Sequence, residues 1–186
     1  MGHGGNVIDE LKADHREVEE MFGRLKAMTG GGQELRGLID EITIELVRHS
    51  VAEEQYLYPA VREQVEGGGR MADREIEDHS RVEKILKQLE QISTDDAQIK
   101  PLLKQLMEEV TSHIKDEESN LFPALERACT SQQLDDLGDK IRRAKAMAPT
   151  RPHPAAPSSP TASKLLAPGA GLVDRARDFV TGRGTS

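Results

Sequence analysis

One cysteine, Cys129, stands in 186 residues. A lone thiol forms no intramolecular disulfide and cannot by itself build a thiolate metal cage, so its simplest role is that of a small buried apolar residue. Long apolar runs are missing too: no stretch approaches the roughly 20 residues needed to span a bilayer. Positive charge is in deficit, with 25 Lys and Arg against 33 Asp and Glu and a net charge of −8. Binding nucleic acid through counterion release needs a basic face, and this balance disfavours it. Residues 149–186 hold more basic than acidic groups, which leaves residues 1–148 with about −11. The opening Met1-Gly2-His3-Gly4-Gly5-Asn6 lacks a basic segment followed by an apolar one, and Asn6 stands where N-myristoylation wants Ser or Thr. The expectation is a cytosolic chain with no membrane span and no nucleic-acid partner. Apolar residues at 36% and charged residues at 31% are ordinary for one globular domain.

Nothing alternates like a strand, and helical period dominates. Ile8, Leu11, His15, Val18, Phe22 and Leu25 recur every three or four residues, which predicts a helix over 7–28 ended by Gly30-Gly31-Gly32. Leu35, Leu38, Ile42, Leu46, His49, Glu53 and Tyr56 form the stripe of a second helix over 33–64, stopped by Gly67-Gly68-Gly69 and kinked or divided near its end by Pro59. A third helix over 71–92 carries His79, Val82, Leu86 and Leu89, and a fourth over 96–128 carries Leu103, Leu106, Val110, His113 and Glu117. Pro101 falls in or near the first turn of the fourth, where its missing N–H costs least. Thr130 and Gln133 can form a capping box for a shorter fifth helix ending near Met147. Short connections leave four such helices one arrangement: an all-α, up-down-up-down antiparallel four-helix bundle over residues 1–148, flanked by the fifth helix. From 149 onward, Pro149, Pro152, Pro154, Pro157 and Pro160 among Ala, Ser and Thr predict a flexible linker. It leads to a short amphipathic stripe of Leu172, Val173, Ala176, Phe179 and Val180 that suits a protein partner, a shell or a membrane surface.

The chain repeats itself. Asp14-His15 and His49-x-x-x-Glu53 recur as Asp78-His79 and His113-x-x-x-Glu117, each displaced by 64 positions, and Leu25/Leu89, Glu54/Glu118, Leu57/Leu121 and Pro59/Pro123 keep the same offset. All four histidines fall on core seams. A His and a Glu four apart lie one turn above each other on one helix face, so His49 with Glu53 and His113 with Glu117 aim at a shared interior point, approached by His15 and His79 from the other two helices. Two carboxylates in a bundle interior repel and resist burial unless cations neutralise them. Imidazole and carboxylate without sulfur suit iron, with manganese and zinc as alternatives, and paired carboxylates suit a bridged two-metal site. The competing reading, histidines hydrogen-bonded within a core, accounts well for one such residue and poorly for four in matched halves. His3 and His153 lie in Gly-rich and Pro-rich segments outside the repeat and are expected in solvent.

These six residues resemble the hemerythrin-like, or HHE cation-binding, family, whose pattern is a lone His, His-x-x-x-Glu, a second lone His and a second His-x-x-x-Glu. The runs His49-Ser50-Val51-Ala52-Glu53-Glu54-Gln55-Tyr56-Leu57-Tyr58-Pro59 and His113-Ile114-Lys115-Asp116-Glu117-Glu118-Ser119-Asn120-Leu121-Phe122-Pro123 look like the family's two ligand helices, and the likeness covers roughly residues 7–147. It implies a four-helix bundle around an oxo- or hydroxo-bridged non-haem diiron centre, Glu53 and Glu117 bridging, with one iron open to a small diatomic or peroxide. One departure stands out: oxygen carriers of the family place a His four residues after the second lone His, and here that position is Glu83, matched by Glu19 in the first half. Glu83 is therefore a further candidate metal ligand, one that favours ferric iron over reversible oxygenation; its alternative is an exposed pair with Lys87 one turn on. Glu54 and Glu118 are expected behind the ligands or in solvent. Tyr56, whose repeat partner is Asn120, is the candidate catalytic phenol, able to hydrogen-bond a bridging oxygen or give a proton to peroxide, with simple packing as its other role.

Three functions follow: a binding module for O2 or NO, an oxidoreductase that disproportionates peroxide or oxidises ferrous iron, and a regulatory module responsive to iron or oxygen. The Pro-rich tether favours the last, Tyr56 and Glu83 the second.

Overall fold

The computed structural model describes residues 3–153 together with Ala170, Asp174 and Asp178. Helix α1, Val7–Ala27, starts where the Asn6 side chain accepts hydrogen bonds from the amides of Ile8 and Asp9, with Asp9 and Glu10 in the favourable first turn. Helix α2, Gly32–Ala52, does not stop at its end. It runs through a π-helical turn, Glu53–Leu57, into α3, Tyr58–Gln64. Helix α4, Gly68–Gln91, pairs with α5, Ile99–Asp116, which likewise passes through a π turn, Glu117–Leu121, into α6, Phe122–Ala128. Helix α7, Ser131–Met147, opens on the capping box between Thr130 and Gln133. The described residues contain no strand, and α1, α2–α3, α4 and α5–α6 form the antiparallel bundle, with α7 laid against α1 and α2.

The two π turns have one cause. Pro59 and Pro123 lack an N–H to give back along the helix, and their rings clash with the carbonyl four residues earlier, so the preceding turn widens. The widened turn is closed by amides bonding five residues back, Tyr58 to Glu53 and Phe122 to Glu117. Each long rod is therefore divided before its proline rather than kinked at it, and residues past Glu53 or Glu117 are rotated by about one position relative to a 3.6-residue helix.

Glycines set the other boundaries. Gly67 takes a left-handed φ of 72°, and a Cβ on Gly68 would meet the Val61 carbonyl oxygen at 2.0 Å. That closeness lets α4 begin at Gly68, three residues before the expected 71. At the next junction Asp96 Oδ1 accepts the Gln98 amide in a turn, which delays α5 to Ile99 instead of 96.

The interior consists of two apolar blocks. One gathers Val18, Phe22, Leu38, Ile42, Leu86, Leu89, Leu106 and Val110; the other gathers Val7, Leu11, Leu57, Tyr58, Val61, Leu121, Phe122, Leu125, Leu137 and Ile141. Along α1 and α4 the change from one block to the other falls at His15 and His79; along the other two rods it falls shortly after His49 and His113, past Val51 and Ile114. The polar layer is thus sealed at both ends by hydrocarbon.

Beyond α7 the chain stays attached to the bundle for several residues, where the sequence predicts linker from 149. The amides of Thr150 and Arg151 donate to Asp174 Oδ2 at 3.2 and 3.1 Å. Arg151 reaches Glu90 Oε1 on α4 and Asp178 Oδ1, each at 2.6 Å. Buried acidic partners hold this stretch down. Pro154, Pro157 and Pro160 and the stripe of Leu172, Val173, Ala176, Phe179 and Val180 lie outside the described residues.

Candidate metal centre

Glu53 and Glu117 are fully buried and sit between two pairs of imidazoles. His49 Nε2 lies 3.2 Å from Glu53 Oε1 and His79 Nε2 3.3 Å from Glu53 Oε2; His15 Nε2 and His113 Nε2 lie 3.4 and 3.6 Å from Glu117 Oε2. Each carboxylate therefore faces one imidazole from its own rod and one from the other repeat. His79 Nε2 and His113 Nε2 approach to 3.2 Å. His15, His49, Glu53 and Glu117 offer ligand atoms within 4.8 Å of one another, as do Glu53, His79 and His113.

The outward nitrogen of every ring also meets a carboxylate. His15 Nδ1 is 2.8 Å from Glu118 Oε1, His49 Nδ1 3.2 Å from Asp14 Oδ2, His79 Nδ1 3.1 Å from Glu54 Oε1 and His113 Nδ1 2.8 Å from Glu75 Oε2. A carboxylate behind a ligating histidine fixes its tautomer and aims the other nitrogen at the metal. Glu54 and Glu118 cross between repeats to do this, which places them behind the ligands rather than in solvent. The remaining two break the duplication: Asp14 serves His49, whereas its repeat partner Asp78 turns to Arg81 and Glu75, at the position of Leu11, serves His113.

Sequence reasoning missed Tyr58. Its phenol is 3.3 Å from Glu53 Oε2, 3.2 Å from Glu117 Oε1 and 3.0 Å from His79 Nε2, with no exposure. Tyr56, placed on the site by 3.6-residue spacing, instead packs against the apolar block that contains Leu57 and Val61. The π turn shifts the register, bringing the residue five after Glu53 onto the site face. The usable signal was an aromatic before proline in both halves, since Phe122, the repeat partner of Tyr58, stacks on His15 with centroids 5.7 Å apart. Glu83 does not join the cluster: its carboxylate accepts the His153 amide at 2.7 Å, while Lys87 pairs with Glu90 and Glu19 with Arg16. His153 and His3 stand apart from the ligand set as expected, yet both are tied, His153 Nε2 to Asp174 at 3.0 Å and His3 Nε2 to Asp14 at 3.3 Å.

Burial and charge are balanced by protons. Burial works against a charged His49, but Glu53 and Asp14 outweigh it and hold the imidazole well above its ordinary pKa. Burial likewise opposes charge on His79, and bonds to Glu53 and Glu54 raise it to about 10. The same contacts overcome the burial of Glu53 and pull its carboxyl well below the usual range. Burial and the nearby negative charges of Glu117 and Glu53 push the Tyr58 phenol well above its normal value, so it keeps its proton.

The donor set fits hard or borderline cations. His15 Nε2, Glu53 Oε1 and Glu117 Oε2 in the inner layer, and His113 Nδ1 and Glu75 Oε2 just behind it, are buried without a hydrogen-bond partner. Such atoms are costly unless something else satisfies them. Two cations, one by His15 and His49 and one by His79 and His113, would do so for the inner layer, and no thiolate lies in the set.

A helical bundle with two His-x-x-x-Glu rods and two lone-His rods around paired inner carboxylates defines a carboxylate–histidine metal-binding class. Residues 6–125 match the family model described as the hemerythrin HHE cation binding domain. The chain belongs to this family. An uncharacterized hemerythrin-like protein of Schizosaccharomyces pombe is 27% identical over 94% of this chain and 86% of its own length. A DNA nickase of a Nostoc species is 29% identical over 76% of this chain, which spans only 39% of that protein. The crystal structure of a hemerythrin HHE cation-binding domain-containing protein from Mycobacterium kansasii superposes with a TM-score of 0.67 at 21% identity, over 76% of this chain and 85% of that one, and shows the shared fold. No helix among the described residues is long and apolar enough to cross a membrane.

Proposed function

We propose that the chain is a non-haem diiron protein that handles O2, NO or peroxide, with Glu53 and Glu117 bridging two iron ions held by His15 with His49 and by His79 with His113. The carrying observation is the convergence of four Nε2 atoms on two buried carboxylates, each with one oxygen, Glu53 Oε1 and Glu117 Oε2, that lacks a hydrogen-bond partner. Manganese and zinc are the competing metals for this donor set. A bound metal pair would supply redox and Lewis-acid chemistry there.

The chain's own residues supply the rest. A cavity of about 20 Å³ adjoins the four imidazoles; Val18, Leu46, Val82, Val110 and Ile114 form most of the rest of its wall, with Asp14 and Ser50 as the other polar residues. That volume admits one water-sized molecule, and the walls favour a neutral diatomic over an ion. Glu118, Asp14 and Glu54 hold His15, His49 and His79 in one tautomer, Glu75 lies beside His113 Nδ1 at 2.8 Å, and the apolar blocks exclude bulk water.

Tyr58 favours a second reading, an oxidoreductase that disproportionates peroxide or oxidises ferrous iron. A phenol that keeps its proton within 3.3 Å of both inner carboxylates can deliver that proton inside a dry site. Anaerobic reconstitution with Fe(II), followed by optical spectra on adding O2, NO and H2O2, separates these readings. A long-lived, reversible oxygen-dependent band marks the binding module, and rapid oxygen evolution from peroxide marks the enzyme. Fewer than one iron per chain after reconstitution sinks both.

A further inference from the structure

The two halves of the centre are buttressed unequally, and the inequality comes from α7, a helix outside the duplication. Lys145 on α7 is buried, 6% exposed, and its ammonium sits among three carboxylates: it contacts Asp14 Oδ1, lies 3.3 Å from Glu10 Oε1 and 3.7 Å from Glu45 Oε1. Asp14 spends its other oxygen on His49 Nδ1, 3.2 Å away, and His49 Nε2 faces Glu53. A continuous buried line thus runs from Lys145 through Asp14 and His49 to an inner carboxylate. His113 has no equivalent. Its carboxylate, Glu75, neighbours the second carboxylate Asp116 and makes no contact with an ammonium among the described residues.

A carboxylate can orient a ligating histidine only while its own orientation is fixed. Asp14 is a short side chain that rotates freely about its terminal bond unless the second oxygen is held. The buried Lys145 ammonium holds it, with the partly exposed His3 Nε2 3.3 Å from the same oxygen, and α7 is fastened there by Arg142, which bonds Gly5 O at 2.9 Å, and by Gly138, where a Cβ would stand 3.0 Å from Gly5 O. We propose that Lys145 is a positioning residue for one metal position: by pinning Asp14 it fixes the His49 ring and makes the His15–His49 position hold its metal independently of the His79–His113 position. This rests on the two-cation reading above, and the experiment tells the two apart.

Metal-free full-length protein is titrated anaerobically with Co(II), whose absorption bands report the ligand set at each position. Wild type is expected to take two ions. Lys145→Met should weaken one position by about 10- to 100-fold, the range seen when a residue behind a ligating histidine is lost, and leave the other unchanged. Lys145→Arg, which keeps the charge and its hydrogen bonds, should recover the lost position, and the Lys145→Met effect should vanish in an Asp14→Asn background. Because Lys145→Met removes the ammonium from Glu10 Oε1 and Glu45 Oε1, Glu10→Gln/Lys145→Met is measured beside it. Two unchanged positions, equal weakening of both, or loss of helical circular dichroism in both variants overturns the proposal, since a side chain serving the fold at large does not select one site. A wild type that binds no pair of ions overturns the two-cation reading itself.

Discussion

Tyr58 lies five residues after Glu53, and its hydroxyl stands 3.3 Å from that carboxylate because the turn between them is π rather than α. The repeat partner, Phe122, occupies the same place in the other half against His15. Phenol and phenyl occupy equivalent places in the repeat, so only one of the two aromatic positions carries a hydroxyl proton. Tyr58→Phe is therefore expected to keep the fold and the metal content, at a cost of about 1 kcal/mol in urea denaturation. Peroxide turnover by the iron-loaded protein should fall by about 100-fold. Tyr56→Phe should change neither, and an equal loss from both variants would sink the assignment.

Ligand replacements discriminate between residues that converge and residues that merely share a pattern. His49→Ala and His113→Ala each remove one nitrogen from a different position, and bound iron measured after reconstitution should fall from about two per chain toward one. Glu53→Ala withdraws a carboxylate shared by both and should cost both ions. Glu83→Ala and His153→Ala should leave the content intact, because the Glu83 carboxylate is engaged by the His153 amide and is not among the converging ligand atoms. Iron loss on Glu83→Ala would restore the ligand reading that its position after His79 suggests.

Much of this was legible in the chain. The 64-residue displacement identifies four rods, pairs them and selects six inner residues, because burial forces the same polar side chains onto equivalent seams. What escaped has a common physical origin in register and in asymmetry. Periodicity of 3.6 residues places Tyr56 on the site face, and only the widened turn ahead of Pro59 puts Tyr58 there. Asp14 and Glu75 occupy non-equivalent positions of the repeat, so duplication logic could not pair them. Glu54 and Glu118 obey the repeat and were expected behind the ligands or in solvent; what periodicity does not reveal is that each acts across to the other half.

Proton balance gives a pH signature for the metal-free protein. Burial opposes a charged His79, yet Glu53 and Glu54 lift it from 6.5 to about 10. The folded state then binds a proton that the unfolded state releases between those values, so this contribution to stability is fully present below pH 6.5 and lost as pH rises toward 10. Glu53 and Asp14, both held below their ordinary values, act oppositely: their contribution is present above the usual carboxylate range and disappears in acid. Urea midpoints of metal-free protein should accordingly fall on both flanks. Metal loading requires neutral imidazoles, so it should release protons detectable with an indicator dye, and the alkaline fall should flatten in loaded protein. An alkaline slope equal in both forms would show that His79 is not displaced by metal.

Close packing where α3 turns into α4 yields a graded test of the scaffold under the centre. A Cβ on Gly68 would stand 2.0 Å from the Val61 carbonyl oxygen and 2.8 Å from its carbon, and both are backbone atoms that cannot rotate aside. Helices α3 and α4 would have to part, disturbing Val61 and, one turn before it, Tyr58. Gly68→Ala should cost about 3 kcal/mol or more in urea denaturation. Gly138→Ala, whose nearest neighbours are backbone atoms of residues 5–7 at 3.0 Å, asks for a shift of only a few tenths of an ångström and should cost less. Gly23, inside α1 with nothing within 4 Å of its Cβ position, offers the reverse case. Gly23→Ala removes backbone freedom from the unfolded chain without a clash and should stabilise by about 0.5–1 kcal/mol. A Gly68→Ala protein as stable as wild type would mean that α3 and α4 do not meet at this distance, and the placement of Tyr58 on the neighbouring turn would lose its support.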